Sequence, residues 1–548
     1  MAHALAGKPV QEQDIIDVQT IVDAYFDNVP DMTNPTQLVS FGTSGHRGTS
    51  IDGTFTDLHV AAITQAICDG RKQFGATGPI FVGQDTHALS QPALVTVLEV
   101  LAGNGVTAMV DCDMDFVPTP SVSRAIIRYN EEHDDKADGI IITPSHNPPD
   151  NGGIKYNTII GGPADTVVTK WIEMRANEYL TAYCESEDFK RISIDNIEPT
   201  AQVPYDYKGL YVEELGDVIN MDAIKTAGLK VLVDTLGGSG ASYWNAIKER
   251  YGLDLTIIHD DYDPTFSFMT YDHDGKVRMD CSSPHVMASV INRIGDFDLA
   301  VGNDPDYDRY GIVVASGLIS ANTFLTLAAR YLFTTRGWKD KGIGKTVVCT
   351  TMIDKLAASA EIPVFEVPVG FKYFSQLLFD GTIGIGGEES AGASFLKKDG
   401  RVWTTDKDGM IMALLGMEIM AVMGKSALKM AGESVEEFGN PKFGRIDAPC
   451  KKEQKQILKQ MSAELITATS VDEDPITNIR TTSLYNDMPI DGVRVETDKG
   501  WFVARPSGTE DLYKIYGESY KGDLGLVALL TAGEEIVNAA LNGTIEIE

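Results

Sequence analysis

The sequence is poor in positive charge, in paired cysteines and in long apolar runs. Its 46 Lys and Arg oppose 79 Asp and Glu, a formal net charge of −33 at pH 7, which disfavours binding to nucleic acid or to an anionic membrane. The six cysteines form no CxxC pair, so neither a zinc site nor a disulfide framework is indicated. No stretch approaches the roughly 18 continuous apolar residues of a membrane span. The first residues lack the apolar core of a signal peptide, so we expect a cytoplasmic protein.

What the sequence does contain is a regular alternation of strand and helix patterns. With 548 residues, 43% of them hydrophobic, it can form several domains. Short apolar runs predict strands, and the longer segments 91–105 and 241–252 predict helices. This alternation predicts α/β units with parallel-rich sheets. The predicted strands are "PIFVGQD" (79–85), "TAMVDCD" (107–113), "LKVLVD" (229–234), "FDLAVGND" (297–304), "KTVVCTT" (345–351) and "TIGIGGEES" (382–390).

Changes of composition suggest where domains begin and end. Segment 11–28 predicts a helix that packs as an arm, and segments 195–207 and 436–449 are polar, proline-bearing candidate linkers. After the second linker, the pattern changes to a helix and then to two strands around a loop (501–519). We therefore expect three related α/β domains and a smaller α+β domain around a central cleft. The expected domains are 1–40 (helical extension), 41–205, 206–320, 321–440 and 441–548.

Three of the predicted strands run into polar loops, at residues 143, 302 and 386. In "TPSHNPPDNGGIKYN" (143–157), Ser145, His146 and Asn147 stand directly before two prolines, which cannot continue a central strand. Ser145 is therefore predicted to lie on a stiff loop at the carboxyl end of a strand, where open α/β sheets bind ligands.

The second loop, "GNDPDYDRYG" (302–311), contains alternating Asp304, Asp306 and Asp308. Alternating residues of an extended segment lie on one face, and three carboxylates there indicate a Mg²⁺ or Ca²⁺ site. An EF-hand is excluded, because its glycine and glutamate positions hold Arg309 and Ala315. The alternative is a solvated acidic turn.

Three further loops carry polar groups that could hold a substrate. Glu388 and Ser390 of "GGEESAG" could bind sugar hydroxyls, and "FGTSGHRG" (41–48) combines a flexible backbone with two polar side chains, Ser44 and Arg47. "RPSGTED" (505–511) combines an arginine fork with a glycine that lets backbone N–H groups approach an oxyanion. Ordinary turns are the alternative for each loop. The phosphate-binding candidates of that last loop are Arg505, Ser507, Gly508 and Thr509.

Five motifs occur in one order along the chain: TSGHR, TPSHNP, DPDYDR, GEESAG and RPSGTED. Together they resemble the α-D-phosphohexomutases over nearly the whole chain. "NPPDNGGIKYN", "GGPAD" and "RPSGTEDLYKIY" are most similar to the bacterial phosphoglucomutase branch. The resemblance implies four domains around a central cleft. Tyr307 is one departure, since a small residue is frequent at that position of the family.

The resemblance also implies roles for these residues. Ser145 would be the phosphoserine, and it would share one Mg²⁺ per chain with Asp304, Asp306 and Asp308. Catalytic assistance near the reacting hydroxyl would come from His146, Lys155, Arg47 and Arg309. The residues that would bind the sugar or its non-reacting phosphate are Ser44, Lys372, Glu388, Ser390, Lys407, Arg505, Ser507, Gly508, Thr509 and Lys514.

The expected reaction interconverts glucose 1-phosphate and glucose 6-phosphate reversibly through glucose 1,6-bisphosphate. Two alternatives stay open: a phosphomannomutase or phosphoglucosamine mutase on the same scaffold, and a phosphosugar-binding protein without catalysis. A complete nucleophile and metal motif argues against the last. The expected partner is a small phosphosugar, with no nucleic acid and no membrane, and the chain would be a monomer or a homodimer.

Overall fold

The computed structural model describes residues 3–42, 44–184, 189–508 and 512–542. Contacts among residues divide the chain into two compact units. The first unit comprises residues 1–321, 374–381 and 390–428, and the second comprises residues 322–373, 382–389 and 429–548. The first unit contains the first two sheets described below, the second unit contains the C-terminal sheet, and the third α/β region is divided between the units.

The first unit begins with a six-stranded mixed sheet of order β1-β5-β4-β2-β3-β6. Its four strands β4, β2, β3 and β6 are parallel, whereas β5 returns antiparallel to β4 and pairs with β1. Isoleucines fill β4 and are fully buried, as expected for a strand covered on both faces. The strands are β1 (His46–Thr49), β2 (Ile80–Gln84), β3 (Ala108–Asp111), β4 (Asp138–Ile142), β5 (Asn151–Asn157) and β6 (Gln202–Tyr205). The helices are α1 (Val18–Asp27), α2 (Asp57–Gly70), α3 (Ser90–Gly103), α4 (Thr119–Glu132) and α5 (Thr166–Cys184).

The second sheet of this unit repeats the same arrangement with five strands, in the order β11-β10-β9-β7-β8. Strands β8, β7 and β9 are parallel, and β10 returns antiparallel to β9 as β5 does to β4. The strands are β7 (Val231–Asp234), β8 (Leu255–Ile258), β9 (Leu299–Gly302), β10 (Gly311–Val314) and β11 (Gly317–Leu318). The helices are α6 (Tyr207–Val218), α7 (Met221–Ala227), α8 (Ala241–Tyr251) and α9 (Ala288–Ile291).

The third α/β region supplies segments to both units. In the second unit, three strands pair in parallel in the order β13-β12-β14. The strands are β12 (Gly342–Thr346), β13 (Val364–Val367), β14 (Ile383–Gly387) and, in the first unit, β15 (Ala393–Phe395). The helices are α10 (Ala321–Thr335), α11 (Met352–Ser359), α12 (Lys372–Phe379), α13 (Gly409–Met423) and α14 (Ala427–Phe438). Asp408 caps α13 by accepting from the N–H of Ile411.

The C-terminal region is a six-stranded sheet of order β16-β21-β20-β19-β18-β17, with antiparallel neighbours. The strands are β16 (Lys442–Pro449), β17 (Ser470–Val471), β18 (Asp474–Thr482), β19 (Pro489–Thr497), β20 (Gly500–Pro506) and β21 (Leu512–Ser519). The helices are α15 (Lys452–Lys459) and α16 (Gly522–Leu541). Within the second unit, Arg480 of β18 pairs with Glu366 of β13 at 2.6 Å, so the third and fourth sheets are joined by a buried ion pair.

Helix α16 is long and apolar enough to cross a membrane by length and composition alone. However, its face of Leu529, Val537 and Ala540 is buried with Phe502 and Ile515 of the C-terminal sheet. This packing makes α16 the core helix of that domain.

The structure corrects four of the predicted boundaries. The predicted helix 11–28 is shorter, because only Val18–Asp27 is α-helical and Glu12–Asp14 forms a single 3₁₀ turn. The predicted strand 345–351 lies earlier, at Gly342–Thr346. Both proposed linkers contain sheet strands, since β6 pairs with β3 and β16 pairs with β21. Proline tolerance at sheet edges explains why these segments looked like linkers.

Candidate active site

Ser145 lies three residues beyond the end of β4 and is almost fully buried. Its φ of +61° is unusual for a residue with a side chain. The backbone N–H donates to Thr143 Oγ1 at 2.7 Å, and Ser145 Oγ donates to Asp304 Oδ2 at 2.8 Å. The strained turn therefore directs the serine oxygen at the acidic loop that follows β9.

A buried network that the sequence analysis missed supports the Ser145 loop. Thr143 Oγ1 donates to Asp85 Oδ2 at 2.6 Å, and Asp85 also accepts from Ser90 Oγ at 2.5 Å. His87 Nδ1 lies 2.8 Å from Asp85, and its Nε2 donates to the carbonyl of Asn147 at 3.0 Å. Burial alone would raise the pKa of Asp85, but His87 and the hydroxyl donors hold it below its ordinary value. An acidic residue directly after a buried strand was the available signal.

The three aspartates of the second loop come together as a buried cluster. Ligand oxygens of Asp304, Asp306 and Asp308 all lie within 4.8 Å of one another, and the three residues are fully buried. Burial first, and then the two neighbouring carboxylates, raise the pKa of Asp304 well above its ordinary value. Such a cluster is electrostatically costly without a cation.

Tyr307, the family departure, stands at the corner of this acidic loop. Its φ is +62°, and its buried ring packs directly against Gly240. A Cβ at Gly240 would lie 2.4 Å from the ring. The bulk of Tyr307 is thus accommodated on the side of α8, and the three carboxylates keep their common face.

The unused carboxylate oxygens fit a metal ion. Asp306 Oδ2 accepts from Lys155 at 2.6 Å and from Thr119 Oγ1 at 2.7 Å, and Asp308 Oδ2 lies 2.8 Å from Lys407 Nζ. Within the described residues, the second oxygens, Asp306 Oδ1 and Asp308 Oδ1, are buried without a hydrogen-bond partner. Buried acceptors of this kind need a cation or a donor. Hard oxygen donors suit Mg²⁺ or Ca²⁺.

Lys155 and Lys407 partly balance the acidic cluster. Lys155 of β5 is buried, and its Nζ also donates to Asp308 Oδ2 at 3.1 Å. Burial would lower the pKa of Lys155, but Asp306 and Asp308 raise it above the ordinary value. The antiparallel return of β5 beside β4 places this lysine under the acidic loop.

His146 and Arg309 meet Asp280, a residue that the sequence analysis did not single out. Asp280 Oδ2 lies 4.0 Å from His146 Nε2 and 3.6 Å from Arg309 Nη1. His146 Nδ1 lies 3.3 Å from Ser145 Oγ. Burial first, and then Arg309, lower the pKa of His146 well below its ordinary value. Asp280 therefore connects two of the predicted catalytic side chains.

Ser44 and Arg47 reach the same loop from the first sheet. Arg47 of β1 donates to Asn147 Oδ1 at 3.3 Å and to Ser44 Oγ at 3.4 Å. Strand β1 pairs with β5, which follows the Ser145 loop directly. The motif that contains both residues, "FGTSGHRG" (41–48), thus lies beside Ser145. Thr43 of this motif is outside the described residues.

The segment after β14 returns to the first unit at Ser390. Ala391 has a φ of +66°, its carbonyl accepts from the N–H of Tyr310 at 3.2 Å, and Gly392 bridges to Arg309. Ser390 is therefore placed next to the acidic loop.

The remaining predicted substrate residues lie in the second unit. The hairpin of β20 and β21 pairs Arg505 with Lys514, so their side chains share one face of the sheet. Ser507 N–H donates to the carbonyl of Leu512 at 2.8 Å, which closes the hairpin end that carries Gly508. Thr509 lies outside the described residues.

Two further predicted residues belong to the third sheet of that unit. Glu388 directly follows β14 and is buried, and Lys372 is the first residue of α12. Glu388 thus stands at the carboxyl end of a strand, as the sequence pattern predicted.

Four family models match the chain in order. They describe the phosphoglucomutase/phosphomannomutase alpha/beta/alpha domains I (residues 38–182), II (210–317) and III (320–438) and the C-terminal domain (447–524). The chain belongs to the phosphoglucomutase/phosphomannomutase family. The predicted family, enzyme class and fold class are thereby confirmed.

The chain is similar to a phosphoglucomutase in sequence and to two solved structures in fold. The chain is 46% identical to "Phosphoglucomutase" of Komagataeibacter xylinus over 97% of both chains. The open form of pp63/parafusin, a phosphoglucomutase from Paramecium, is similar in fold, with a TM-score of 0.72, 20% identity and coverage of 94% of this chain and 96% of that one. A more distant solved structure, Aspergillus fumigatus N-acetylphosphoglucosamine mutase in complex with GlcNAc-6P and magnesium, gives a TM-score of 0.51 with 14% identity over 96% and 98%.

Proposed function

We propose that this chain is a phosphoglucomutase that interconverts glucose 1-phosphate and glucose 6-phosphate. The observation that carries the proposal is Ser145, whose hydroxyl contacts Asp304 within a cluster of three buried carboxylates. The 46% identity to a named phosphoglucomutase supports glucose as the sugar.

In the proposed cycle, the resting enzyme is phosphorylated on Ser145 Oγ. The free hydroxyl of the sugar attacks phosphorus, the bond from phosphorus to Ser145 Oγ breaks, and the hydroxyl proton passes to a basic group of the site. The product is glucose 1,6-bisphosphate. After it turns over in the site, Ser145 Oγ attacks the other phosphoryl group, and the sugar oxygen released there takes up a proton. Atoms and charge therefore balance over one turnover.

We propose Mg²⁺ as the cofactor, one per chain, held by Asp304, Asp306, Asp308 and the phosphorylated Ser145. The Oδ1 atoms of Asp306 and Asp308, which accept no hydrogen bond from the described part of the chain, support this set, and magnesium is named for the fungal relative. When bound, the metal would polarise phosphorus and offset negative charge during transfer. Lys155, Thr119 and Lys407 would hold the other carboxylate oxygens and so fix the orientation of the ligands.

The basic groups around Ser145 would handle the proton and the phosphoryl charge. His146, whose Nδ1 lies 3.3 Å from Ser145 Oγ, is the candidate for the proton transfer. Arg47 and Arg309 are placed to stabilise charge on the transferring group. Lys155 is paired with carboxylates, which favours an electrostatic role for it.

The second set of side chains would bind the parts of the substrate that do not react. Glu388 and Ser390 would hold sugar hydroxyls, and Lys372, Lys407 and Ser44 would complete the substrate site. Arginine supplies a bidentate fork for phosphate. The non-reacting phosphate would be bound by Arg505, Ser507, Gly508, Thr509 and Lys514.

The domain limits and the cellular setting also remain proposals. We propose the domains 1–40, 41–205, 206–320, 321–440 and 441–548, with a phosphosugar as the small-molecule partner. A cytoplasmic monomer or homodimer that binds neither nucleic acid nor membrane fits the strongly acidic composition.

The deciding experiment compares sugars and follows the carrier. A coupled assay should give a higher kcat/KM for glucose 1-phosphate than for mannose 1-phosphate or glucosamine 1-phosphate. Intact-mass analysis should show a phosphorylated fraction that maps to Ser145. A preference for another sugar would move the assignment to one of the two sister mutases, and binding without turnover would identify a non-catalytic phosphosugar-binding protein.

A further inference from the structure

Residues 3–14 form an N-terminal arm that lies before the matched family domains, which begin at residue 38. The arm pairs with the segment 269–273 of the second α/β region. Gly7 N–H donates to the carbonyl of Tyr271 at 2.8 Å, and Tyr271 N–H donates to the carbonyl of Lys8 at 3.0 Å. Val10 N–H donates to the carbonyl of Met269 at 3.0 Å. The arm thus forms a single antiparallel bridge, between Pro9 and Thr270, with this segment.

The Tyr271 side chain strengthens this pairing. Its hydroxyl donates to Asp14 Oδ2 at 2.5 Å and accepts from the N–H of Gln11 at 3.0 Å. Val10 packs against an apolar cluster that includes Phe266. Several independent contacts therefore hold the arm in one register.

The segment under the arm belongs to a long connection, residues 259–287, that links β8 to α9 and contains no helix or strand in this fully described range. Its two sides are tied to each other. Thr270 Oγ1 donates to the carbonyl of His285 at 2.6 Å, and Ser283 Oγ donates to Asp272 Oδ1 at 2.5 Å. We call residues 259–287 the Asp280 loop, after the residue of this connection that contacts His146 and Arg309.

The tip of the Asp280 loop touches the proposed catalytic groups. Met279 N–H donates to the carbonyl of His146 at 3.3 Å. Asp280 Oδ1 is occupied by the N–H and hydroxyl of Ser282, at 3.0 and 2.7 Å, which leaves Oδ2 to face His146 and Arg309. The Asp280 loop contains no helix or strand, so contacts with its surroundings hold it in place. Met279 and Cys281, on either side of Asp280, are buried in an apolar cluster, and the arm contacts the other side of the loop at residues 269–273.

We propose that the N-terminal arm, residues 3–14, is a positioning element for catalysis: it holds the Asp280 loop so that Asp280 keeps His146 and Arg309 in place beside Ser145. This inference rests on the proposed function for its catalytic consequence. Its structural part, the control of the loop by the arm, can be measured separately. The arm touches no side chain proposed to bind the sugar, so its loss should slow phosphoryl transfer more than it weakens substrate binding.

The test variant is Gly7→Pro. Gly7 has a φ of +75°, which proline cannot adopt, and proline also lacks the N–H that donates to Tyr271. Hydrogen exchange of residues 269–285 should accelerate by about tenfold or more as the arm detaches. The kcat should fall by about tenfold, with KM for glucose 1-phosphate within about twofold of wild type, because a small displacement of catalytic groups slows reaction strongly. Tyr262→Phe, in the same loop but packed on Phe116, is the matched control and should change neither quantity.

A double-mutant cycle connects the arm to Asp280. Asp280→Asn should lower kcat, and adding Gly7→Pro to it should lower kcat by less than about twofold more, since both changes act through one contact. If the two substitutions lowered kcat independently, so that the double variant showed the product of the two single effects, the proposal would be overturned. Fast loop exchange with an unchanged kcat would also overturn it, by showing that the arm stabilises the loop without serving catalysis. If wild type converted none of the three hexose phosphates, the proposed function would fail, whereas the hydrogen-exchange result would still decide whether the arm controls the loop.

Discussion

Lys155 gives a sharp test of the electrostatics of the proposed metal site. Its Nζ lies 2.6 Å from Asp306 Oδ2 and 3.1 Å from Asp308 Oδ2, and the lysine and both aspartates are buried. Lys155→Met keeps most of the aliphatic side chain but removes the cation. The variant would then leave the buried Asp306 without its nearest positive charge, whereas Asp308 would keep Lys407 at 2.8 Å.

Removing one partner from a buried ion pair costs about 3–5 kcal/mol of the free energy of unfolding. For a unit of this size, that loss should lower the melting temperature in EDTA by roughly 4–6 °C. Mg²⁺ should recover part of the loss, because a ligand at one hundred times its Kd stabilises the folded state by about 2.7 kcal/mol. The Mg²⁺-induced rise in melting temperature should be larger for the variant than for wild type.

Calorimetry of both proteins with EDTA and with Mg²⁺ measures these shifts. Lys170→Met is the matched control: Lys170 pairs with Glu173 at 3.0 Å but is 65% exposed, and such pairs contribute about 0–1 kcal/mol. An unchanged melting temperature for Lys155→Met in EDTA would refute the argument that Lys155 balances the acidic cluster. Equal responses of variant and wild type to Mg²⁺ would refute the proposed link between the lysine and the metal.

Three further predictions address the carrier, the phosphate site and the pH dependence. Ser145→Ala should reduce mutase activity to background and remove the phosphorylated species from the mass spectrum, and full activity would exclude this serine as the carrier. Arg505→Ala should raise KM for glucose 1-phosphate at least about tenfold, since each factor of ten corresponds to roughly 1.4 kcal/mol, and Ser145 should still be phosphorylated. An unchanged KM would show that the non-reacting phosphate is bound elsewhere. Burial lowers the pKa of His46 from 6.5 to about 4. Between these pH values, His46 is therefore protonated in the unfolded chain and neutral in the folded chain. The contribution of His46 to the free energy of unfolding is therefore fully present above about pH 6.5 and should decrease by about 3 kcal/mol toward pH 4. Urea unfolding of wild type and His46→Gln across this range checks it, since the variant should lose that part of the slope.

The sequence predicted the strands that carry the site because their chemistry is local. Apolar runs that end in Pro144, in the alternating aspartates or in Glu388 mark both the strand and its carboxyl end. The order of five motifs predicted the family, and the family models and relatives confirm it. The roles of the individual site residues are still predictions.

Other parts of the site depend on pairing between distant segments, which one sequence does not reveal. Asp280 and Thr119 are single polar residues without a motif, and each contacts the site only after two sheets have assembled. Segment 11–28 was predicted as one helix because Ile15, Val18, Ile21, Val22 and Tyr25 fit helical spacing, but only Val18–Asp27 is α-helical. At its beginning, contacts of Gln11 and Asp14 with the Tyr271 hydroxyl outweigh a weak local preference.

The interleaved division of the chain has a consequence for its biosynthesis. The chain passes between the two units five times, and the first unit needs residues 390–428, which include the buried helix α13. On a ribosome, the first unit therefore stays incomplete until residue 428 has emerged, although Ser145 and the aspartates were made long before. The half-built acidic pocket lacks Lys407 during that interval. Because exposed intermediates of large proteins aggregate readily, a nascent chain that stalls between residues 321 and 407 should depend most on chaperones, and no single cut of the chain can separate two self-sufficient halves.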